Sequence, residues 1–288
     1  MSYKKSMGGD NPGLFVFVLD QSGSMGEAWP QSPKHRKADA LADVLNNTLA
    51  EIGARCVKGE GRVSNRCEIA LLGYEGSKVG SVWGGQLQGQ EIVSISEIST
   101  NPLDIEKRKV MHENGKGGII EVEEDVPVWI KANTGGGTPM KKALAHALKL
   151  VQNWLPNHPD AFPPIVIHVT DGEPTGSTPD ERDPSPEATA IRNLATSDGH
   201  ALLVNINIHS NSPVKALFPK DAADLPGNDA GAQLLFEMSS IIPDELVEVG
   251  RNEGLNMLPG SRLMVLNADA VDVIRLIQFA TIGIAMDR

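Results

Sequence analysis

Short apolar runs alternate along this chain with longer segments in which apolar residues recur every three or four positions. Residues 14–19 are apolar throughout, which is typical of a strand buried on both faces of a sheet. A segment that begins near Lys34 then carries apolar residues at helical spacing as far as Ile52. Alternation of this kind predicts a mostly parallel sheet that helices cover on both faces.

The same patterns divide the rest of the chain into elements. The predicted strands of the central sheet are residues 14–19, 68–75, 119–130, 165–171, 201–208 and 262–266. The predicted helices are residues 34–53, 139–155, 187–196, 232–238, 243–252 and 269–286. The expected fold class is therefore α/β, with a doubly wound, Rossmann-like and mostly parallel central sheet of six strands.

The domain organisation follows from the absence of any repeat or clear linker in the sequence. We expect residues 1–13 to form an N-terminal tail and residues 14–288 to form a single domain. Insertions are expected at about residues 76–118 and 210–231. The first contains short strands with glycine turns and a charged, turn-rich excursion at residues 101–118, and the second is irregular.

The net charge and the segments near the two chain ends limit the functions that we expect. The formal net charge is −11, with 26 basic against 37 acidic residues, so the chain repels phosphate backbones and nucleic-acid binding is not expected. The first ten residues lack the apolar stretch of a secretory signal. Residues 271–286 are too short and too polar to span a membrane. The expected location is the cytoplasm, without membrane contact.

Cys56 and Cys67 are the two cysteines of the chain, and a polar loop separates them. Free thiols are the expectation for a cytoplasmic protein. A disulfide that closes the loop also fits the spacing, and the sequence leaves the choice open. A zinc site is not expected, because the chain has only two thiols and no histidine at ligand spacing.

Ligands for a hard cation follow the first predicted strand. Asp20, Ser22 and Ser24 occupy alternate positions on a turn that contains Gly23. Oxygen-only ligands favour a hard divalent cation such as Mg²⁺, and the lack of histidine and cysteine argues against zinc. Ligands of open α/β sheets bind at the carboxyl ends of strands, so the position of this turn also fits.

Two later segments carry matching chemistry. The glycine-rich loop of residues 133–138 ends at Thr138 and precedes a helix, and the predicted strand of residues 165–171 ends at Asp171. The three motifs read D-x-S-x-S, G-G-T-P and T-D-G in chain order. Together they resemble the metal-ion-dependent adhesion site (MIDAS) of von Willebrand factor A (VWA) domains. The resemblance runs from about residue 14 to residue 286.

The resemblance implies a role for each matching residue. Ser22, Ser24 and Thr138 would be direct ligands of Mg²⁺, with Mn²⁺ or Ca²⁺ as alternatives. Asp20 and Asp171 would act through bound water or coordinate directly, depending on the state of the site. One coordination position would stay open for an Asp or Glu of a protein partner. The resemblance therefore implies a protein–protein interaction module and not an enzyme.

The chain resembles intracellular bacterial VWA proteins. This resemblance implies an adaptor that acts through other subunits. The partner could be an ATPase, a kinase or a phosphatase subunit, in a stress-response or defence system. The sequence leaves the partner and the pathway open.

An enzyme is the alternative reading of the first motif. A Mg²⁺-dependent hydrolase or phosphotransferase could use Asp20 as its nucleophile, because a strand followed by an aspartate suits that chemistry. The D-x-D pair of such phosphotransferases is absent, since Ser22 occupies the second acidic position. The sequence also has no G-x-x-x-x-G-K-[ST] loop and no G-x-S-x-G elbow.

Charged residues near the motifs have two readings. The cluster Lys34-His35-Arg36-Lys37 opens a predicted helix, where the helix dipole disfavours positive charge. It is either a solvated helix start or a surface that steers an acidic partner towards the metal. Glu173 is expected to be an exposed loop residue, and His168 is expected to be a satisfied core residue.

Overall fold

The computed structural model describes residues 3–29, 32–113, 119–208, 214–227 and 229–283. For residues 32–34, 60, 109–113, 119–121 and 282–283 it describes the backbone alone.

The elements follow one another in an α/β order. The strands are β1 (Gly13–Asp20), β2 (Ala28–Trp29), β3 (Ser32–Arg36), β4 (Cys67–Glu75), β5 (Lys78–Ser81), β6 (Val93–Ser94), β7 (Asp104–Glu113), β8 (Ile119–Val128), β9 (Ile165–Thr170), β10 (Leu202–Asn207), β11 (Ala216–Leu217) and β12 (Met264–Leu266). The helices are α1 (Lys37–Arg55), α2 (Ile95–Thr100), α3 (Met140–Trp154), α4 (Ser185–Asn193), α5 (Ala230–Met238), α6 (Asp244–Asn252) and α7 (Ala270–Gln278), which a π-helical turn extends to Gly283.

A mostly parallel central sheet organises the chain, as the sequence predicts. The strand order is β11-β12-β10-β9-β1-β4-β5, and β6 also pairs with β4. The strands from β12 to β4 run parallel to one another, whereas β5, β6 and β11 are antiparallel additions at the edges. The described part of the chain therefore gives the sheet eight strands, not the six that the sequence predicts.

Helices cover both faces of this sheet because its central strands are apolar on both sides. Phe15 and Phe17 of β1 belong to the core that α1, α6 and α7 close. Leu14 and Val16, which point the other way, belong to the core that α3, α4 and α5 close. The fold class is thus an α/β architecture compatible with a Rossmann-like fold.

The prediction that residues 119–130 form a strand of the central sheet is wrong. Residues 119–128 are β8, which pairs along ten residues with β7 in a separate two-stranded sheet. Residues 104–113 of the predicted surface excursion at residues 101–118 form β7, and residues 114–118 lie outside the described residues. The described side chains of both strands are largely exposed and charged, with a cross-strand ion pair between Lys107 and Glu123 at 3.2 Å. A central strand must be apolar on both faces, and this hairpin is not.

Two further boundaries differ from the sequence prediction. The helix predicted from Lys34 begins at Lys37, because residues 32–36 form β3 and pair with β2. The segment predicted as irregular, residues 210–231, contributes β11 to the edge of the sheet. Residues 210–213 and 228 of that segment, and residues 284–286 of the last predicted helix, lie outside the described residues.

The remaining features concern the chain start and the cysteines. Of the predicted tail, Tyr3 and Met7 are buried, and the backbone N–H of Tyr3 donates to the carbonyl of Asp198 at 3.1 Å. Cys56 and Cys67 are buried free thiols. A hydrogen bond between them lowers the pKa of Cys56 and, together with burial, raises the pKa of Cys67. Within the described residues, none of the helices combines the length and apolar character that crossing a bilayer requires.

Candidate metal centre

The first motif lies on the turn that follows β1 at the carboxyl edge of the sheet. Asp20 is the last residue of the strand, and its Oδ1 accepts a hydrogen bond of 2.8 Å from the backbone N–H of Ser22. The hydroxyl oxygens of Ser22 and Ser24 are 3.1 Å apart. Asp20 and Ser22 are buried and Ser24 is half-buried. The turn therefore gathers one carboxylate and two hydroxyls, and only Ser24 is partly open to solvent.

The third motif meets the first because β1 and β9 are parallel neighbours. Thr170, the last residue of β9, donates through its hydroxyl to Asp20 Oδ2 at 2.7 Å. The next residue, Asp171, accepts a hydrogen bond of 2.7 Å from Ser24 Oγ on its Oδ1. Two turns that lie about 150 residues apart in the chain therefore share one hydrogen-bond network.

The glycine-rich loop is tied by its backbone to the turns after β1 and β4. The N–H of Gly135 donates to Gln21 O at 2.8 Å, and the N–H of Gly23 donates to Gly136 O at 3.0 Å. A third bond, from Gly76 N–H to Gly137 O, is 2.8 Å long. These bonds fix the path of the loop into Thr138.

Thr138 lies at the end of this loop, and its side chain is buried. Its backbone N–H donates to Thr175 Oγ1 at 2.7 Å, and its carbonyl accepts from Thr175 N at 2.9 Å. A Cβ added to Gly172 would lie 4.0 Å from Thr138 Oγ1. The hydroxyl of Thr138 is therefore beside Gly172, the residue that follows Asp171. The second motif thus lies at the carboxyl ends of the strands, together with the other two motifs.

Burial sets the electrostatics of Asp20. Removal from water raises the pKa of this carboxyl, and the hydrogen bonds from Ser22 and Thr170 oppose part of the rise. The charge of nearby Asp171 raises the pKa of Asp20 further. Two buried carboxyls close to each other favour the arrival of a positive charge.

Lys37 supplies such a charge, and the sequence analysis missed it. Its Nζ lies 2.8 Å from Asp171 Oδ2, 3.1 Å from Glu27 Oε2 and 3.3 Å from Ser24 O. The exposed fraction of the side chain is 1% for Lys37 and 0% for Asp171. Neither reading of the basic cluster therefore holds for Lys37, which is neither solvated nor available to steer a partner from the surface.

The other described members of that cluster are exposed. Arg36 forms an ion pair with Asp39 at 2.7 Å, and His35 is at the surface. The side chain of Lys34 lies outside the described residues. A signal for Lys37 was present in the sequence, because it lies four residues before Leu41 on the apolar stripe of α1. A lysine on such a stripe needs a buried partner.

The donor set fits a hard divalent cation. Hydroxyl and carboxylate oxygens of Asp20, Ser22, Ser24, Thr138 and Asp171 lie at one edge of the sheet, and Mg²⁺ prefers such ligands. The ammonium of the buried lysine shows that this edge already attracts positive charge. No group of three or more His, Cys, Asp or Glu side chains able to hold a metal occurs among the described residues. The role of the five residues as metal ligands stays a prediction.

A cavity of about 390 Å³ opens beside these residues. Ser24, Lys37, Asp171, Asn207 and Asp229 are among the residues that line it. Glu173 also borders the cavity and is exposed, as the sequence predicts. The volume is sufficient to admit a carboxylate side chain from another protein.

A buried polar chain crosses the sheet below the site. The hydroxyl of Tyr74 lies 2.8 Å from His168 Nε2, and His168 Nδ1 lies 2.9 Å from Asn205 Oδ1. The amide nitrogen of Asn205 donates to Ser239 Oγ at 2.9 Å, so its Oδ1 accepts from His168. His168 is therefore a neutral imidazole with its proton on Nδ1 and is a satisfied core residue, as the sequence predicts.

Replacing His168 by glutamine should flatten the pH dependence of stability. Burial lowers the pKa of His168 from 6.5 to about 4. Between these values the unfolded chain binds a proton that the folded chain does not, so stability falls as the pH falls from 6.5 to 4. The full loss in the free energy of unfolding, reached below about pH 4, is about 3 kcal/mol.

Urea unfolding at a series of pH values tests this prediction for the wild type and His168→Gln. The raised pKa of Asp20 acts in the opposite direction in both proteins, so the difference between the two profiles isolates the histidine. Parallel profiles from pH 7 to pH 4 would mean that His168 is not held neutral.

This chain is similar in structure to two bacterial pilus adhesins. Neither protein-family models nor curated proteins match it. Among solved structures it is similar to the pilus adhesin SpaC from Lactobacillus rhamnosus GG, with 14% identity and a TM-score of 0.44 over 95% of this chain and 30% of that chain. It is also similar to the pilus adhesin RrgA from Streptococcus pneumoniae, with 16% identity and a TM-score of 0.30 over 57% of this chain and 21% of that chain.

This chain thus spans less than a third of the length of either adhesin. Both TM-scores are below 0.5, so these similarities carry no argument about function.

Proposed function

We propose that this chain is a VWA domain whose MIDAS binds Mg²⁺ and, through the ion, an Asp or Glu of a protein partner. The hydroxyl of Ser24 carries the proposal, because it joins the first motif to the third. It lies 3.1 Å from Ser22 Oγ and donates to Asp171 Oδ1 at 2.7 Å. Oxygen atoms from separate turns that lie this close to one another are well placed to share one ion.

Each residue has a distinct part in this proposal. The hydroxyls of Ser22, Ser24 and Thr138 would hold the ion, and Asp20 and Asp171 would supply negative charge directly or through water. Mg²⁺ keeps some of its waters, and one of them can be exchanged for a carboxylate from outside. Mn²⁺ and Ca²⁺ accept the same kinds of donor and are alternatives.

The geometry of Asp20 favours a binding module over an enzyme that uses this residue as a nucleophile. Its Oδ1 accepts from Ser22 N at 2.8 Å and its Oδ2 accepts from Thr170 Oγ1 at 2.7 Å. The exposed fraction of Asp20 is 2%, so a phosphoryl group would have little access to it. We therefore propose a protein without catalytic activity of its own.

The wider role that we propose comes from the resemblance of the motifs to intracellular bacterial VWA proteins. The protein would be a cytoplasmic adaptor that acts with an ATPase, kinase or phosphatase subunit. A bacterial stress-response or defence system is the proposed setting. The identity of the partner would select among these.

Metal binding should stabilise the fold by an amount that depends on the metal concentration. At one hundred times the dissociation constant, Mg²⁺ should add about 2.7 kcal/mol to the free energy of unfolding. Thermal melting with Mg²⁺ and with chelator measures this change. Asp171→Ala should lose the shift, and the shift is the quantity to compare because this variant also removes the buried partner of Lys37. An equal shift in both proteins would contradict the proposed site.

Partner capture tests the binding function itself. Immobilised protein should retain a partner from a lysate of the source organism in Mg²⁺ and release it in chelator. Thr138→Ala should capture nothing, whereas Thr134→Ala, a threonine of the same loop with no assigned role, should behave as the wild type. The captured partner should lose binding when its contacting Asp or Glu is replaced by Asn or Gln. Capture that persists in chelator would argue against a metal-mediated contact.

A further inference from the structure

The ammonium of Lys37 is enclosed by the candidate metal centre. Its contacts are Asp171 Oδ2 at 2.8 Å, Glu27 Oε2 at 3.1 Å and Ser24 O at 3.3 Å. The side chains of Lys37 and Asp171 are almost fully buried, and that of Glu27 is 67% exposed. The ion pair between Lys37 and Asp171 is therefore largely shielded from solvent, and its charges would be screened less than surface charges in their effect on an ion bound nearby.

The charges of the site can be counted from these residues. The buried groups are the two carboxylates Asp20 and Asp171 and the ammonium of Lys37, which give a formal charge of −1. A divalent ion would change this charge to +1, and a single carboxylate from outside would return it to zero. Without the lysine, the two carboxylates and the ion would already be neutral.

We propose that Lys37 couples metal binding to partner binding, so that the ion alone is held weakly and the ion with a carboxylate is held well. This inference rests on the proposed function and deepens it. Lys37 and the metal ion are both attracted to the carboxylate of Asp171, and their positive charges repel each other. A partner carboxylate relieves that repulsion, and the site therefore takes a metal and a carboxylate as a pair.

The same contact explains how the fold could exist without metal. A buried carboxylate left unpaired is strongly destabilising, and Lys37 supplies its counter-charge. The metal-free protein would be folded and ready to bind, with its affinity for free Mg²⁺ kept low. Metal occupancy would then report the presence of the partner, which suits an adaptor.

Mn²⁺ titration, followed by the electron paramagnetic resonance signal of free Mn²⁺, tests the inference with acetate as the carboxylate probe. Each protein is titrated in acetate and in chloride at equal ionic strength. The variant Lys37→Met should bind Mn²⁺ about tenfold more tightly than the wild type in chloride. Acetate should strengthen Mn²⁺ binding several-fold in the wild type and hardly at all in Lys37→Met.

Two further variants keep the test decisive. Lys37→Gln retains a hydrogen-bond donor towards Asp171 without the charge, and it should behave as Lys37→Met if that protein folds poorly. Lys5→Met removes an ion-paired lysine that contacts Asp160, outside the metal centre, and should match the wild type. Melting curves in Mg²⁺ establish that each variant is folded.

The outcomes separate the inference from the proposed function. Equal Mn²⁺ affinities in chloride, or an equal effect of acetate on wild type and Lys37→Gln, would overturn the role of Lys37 and leave the metal site in place. No Mn²⁺ binding by any of the folded proteins would overturn the proposed function and this inference with it.

Discussion

Replacing Gly136 by alanine is expected to lower the free energy of unfolding by about 3 kcal/mol and to abolish metal binding. Gly136 has a φ of +61°, which disfavours any residue with a Cβ. An added Cβ would lie 2.6 Å from Gly76 Cα and 2.7 Å from Gly76 N. The loop would have to move away from the turn after β4, and Thr138 would move with it.

Two control glycines separate the two causes of this effect. Gly61→Ala has the positive φ of +74° but nothing within 4 Å of the new Cβ, so it should cost about 1 kcal/mol. Gly80→Ala has neither problem and should change stability by less than about 0.5 kcal/mol. Urea unfolding gives all three values. A cost for Gly136→Ala no larger than that for Gly61→Ala would show that the loop is not packed against Gly76.

Replacing Asn46 by alanine is expected to destabilise the protein by about 4 kcal/mol. This buried residue of α1 accepts hydrogen bonds from Trp129 N at 2.8 Å and Ile130 N at 3.2 Å, and donates to Ile130 O at 3.0 Å. Alanine would leave three backbone groups without their partner in a buried region. Because this segment leads from β8 into the glycine-rich loop, Mg²⁺ binding should also weaken.

Asn47→Ala is the matched control, since the neighbouring side chain is exposed on the same helix. It should change stability by less than about 0.5 kcal/mol. Chemical denaturation of the two variants measures the difference directly. Similar stabilities for Asn46→Ala and Asn47→Ala would mean that the segment after β8 does not depend on Asn46.

The sequence predicts the central strands of this fold well because their signal is local. A strand buried on both faces must be apolar at nearly every position, as β1 and β9 are. The polar residues that end such strands are equally visible, and parallel pairing brings them to one edge. This is why the sequence predicts that Asp20, Ser22, Ser24 and Asp171 lie near one another.

Other features depend on contacts between distant parts of the chain, and the sequence pattern misses them. The strand β7 is stabilised by pairing with β8, and its charged side chains resemble those of a loop. The helix α1 starts late because β3 pairs with β2, which no property of residues 32–36 alone predicts. Lys37 belongs to the site only through its contact with Asp171, which lies 134 residues away along the chain.

Among the features that the sequence does not predict, the contact between Lys37 and Asp171 affects the chemistry of the site most. From sequence, the motifs describe a cage of oxygen atoms with one open position. The structure adds a buried cation on Asp171, so the site has a built-in counter-charge. The combination supports the proposed preference for an ion together with an acidic partner.

The most direct test of the metal site is a crystal structure with Mn²⁺, in which anomalous scattering locates the ion. We expect one anomalous peak within about 2.3 Å of the hydroxyl oxygens of Ser22, Ser24 and Thr138, with Asp20 and Asp171 beside it. A peak bound by other residues, or no peak at this edge of the sheet at saturating Mn²⁺, would contradict the account.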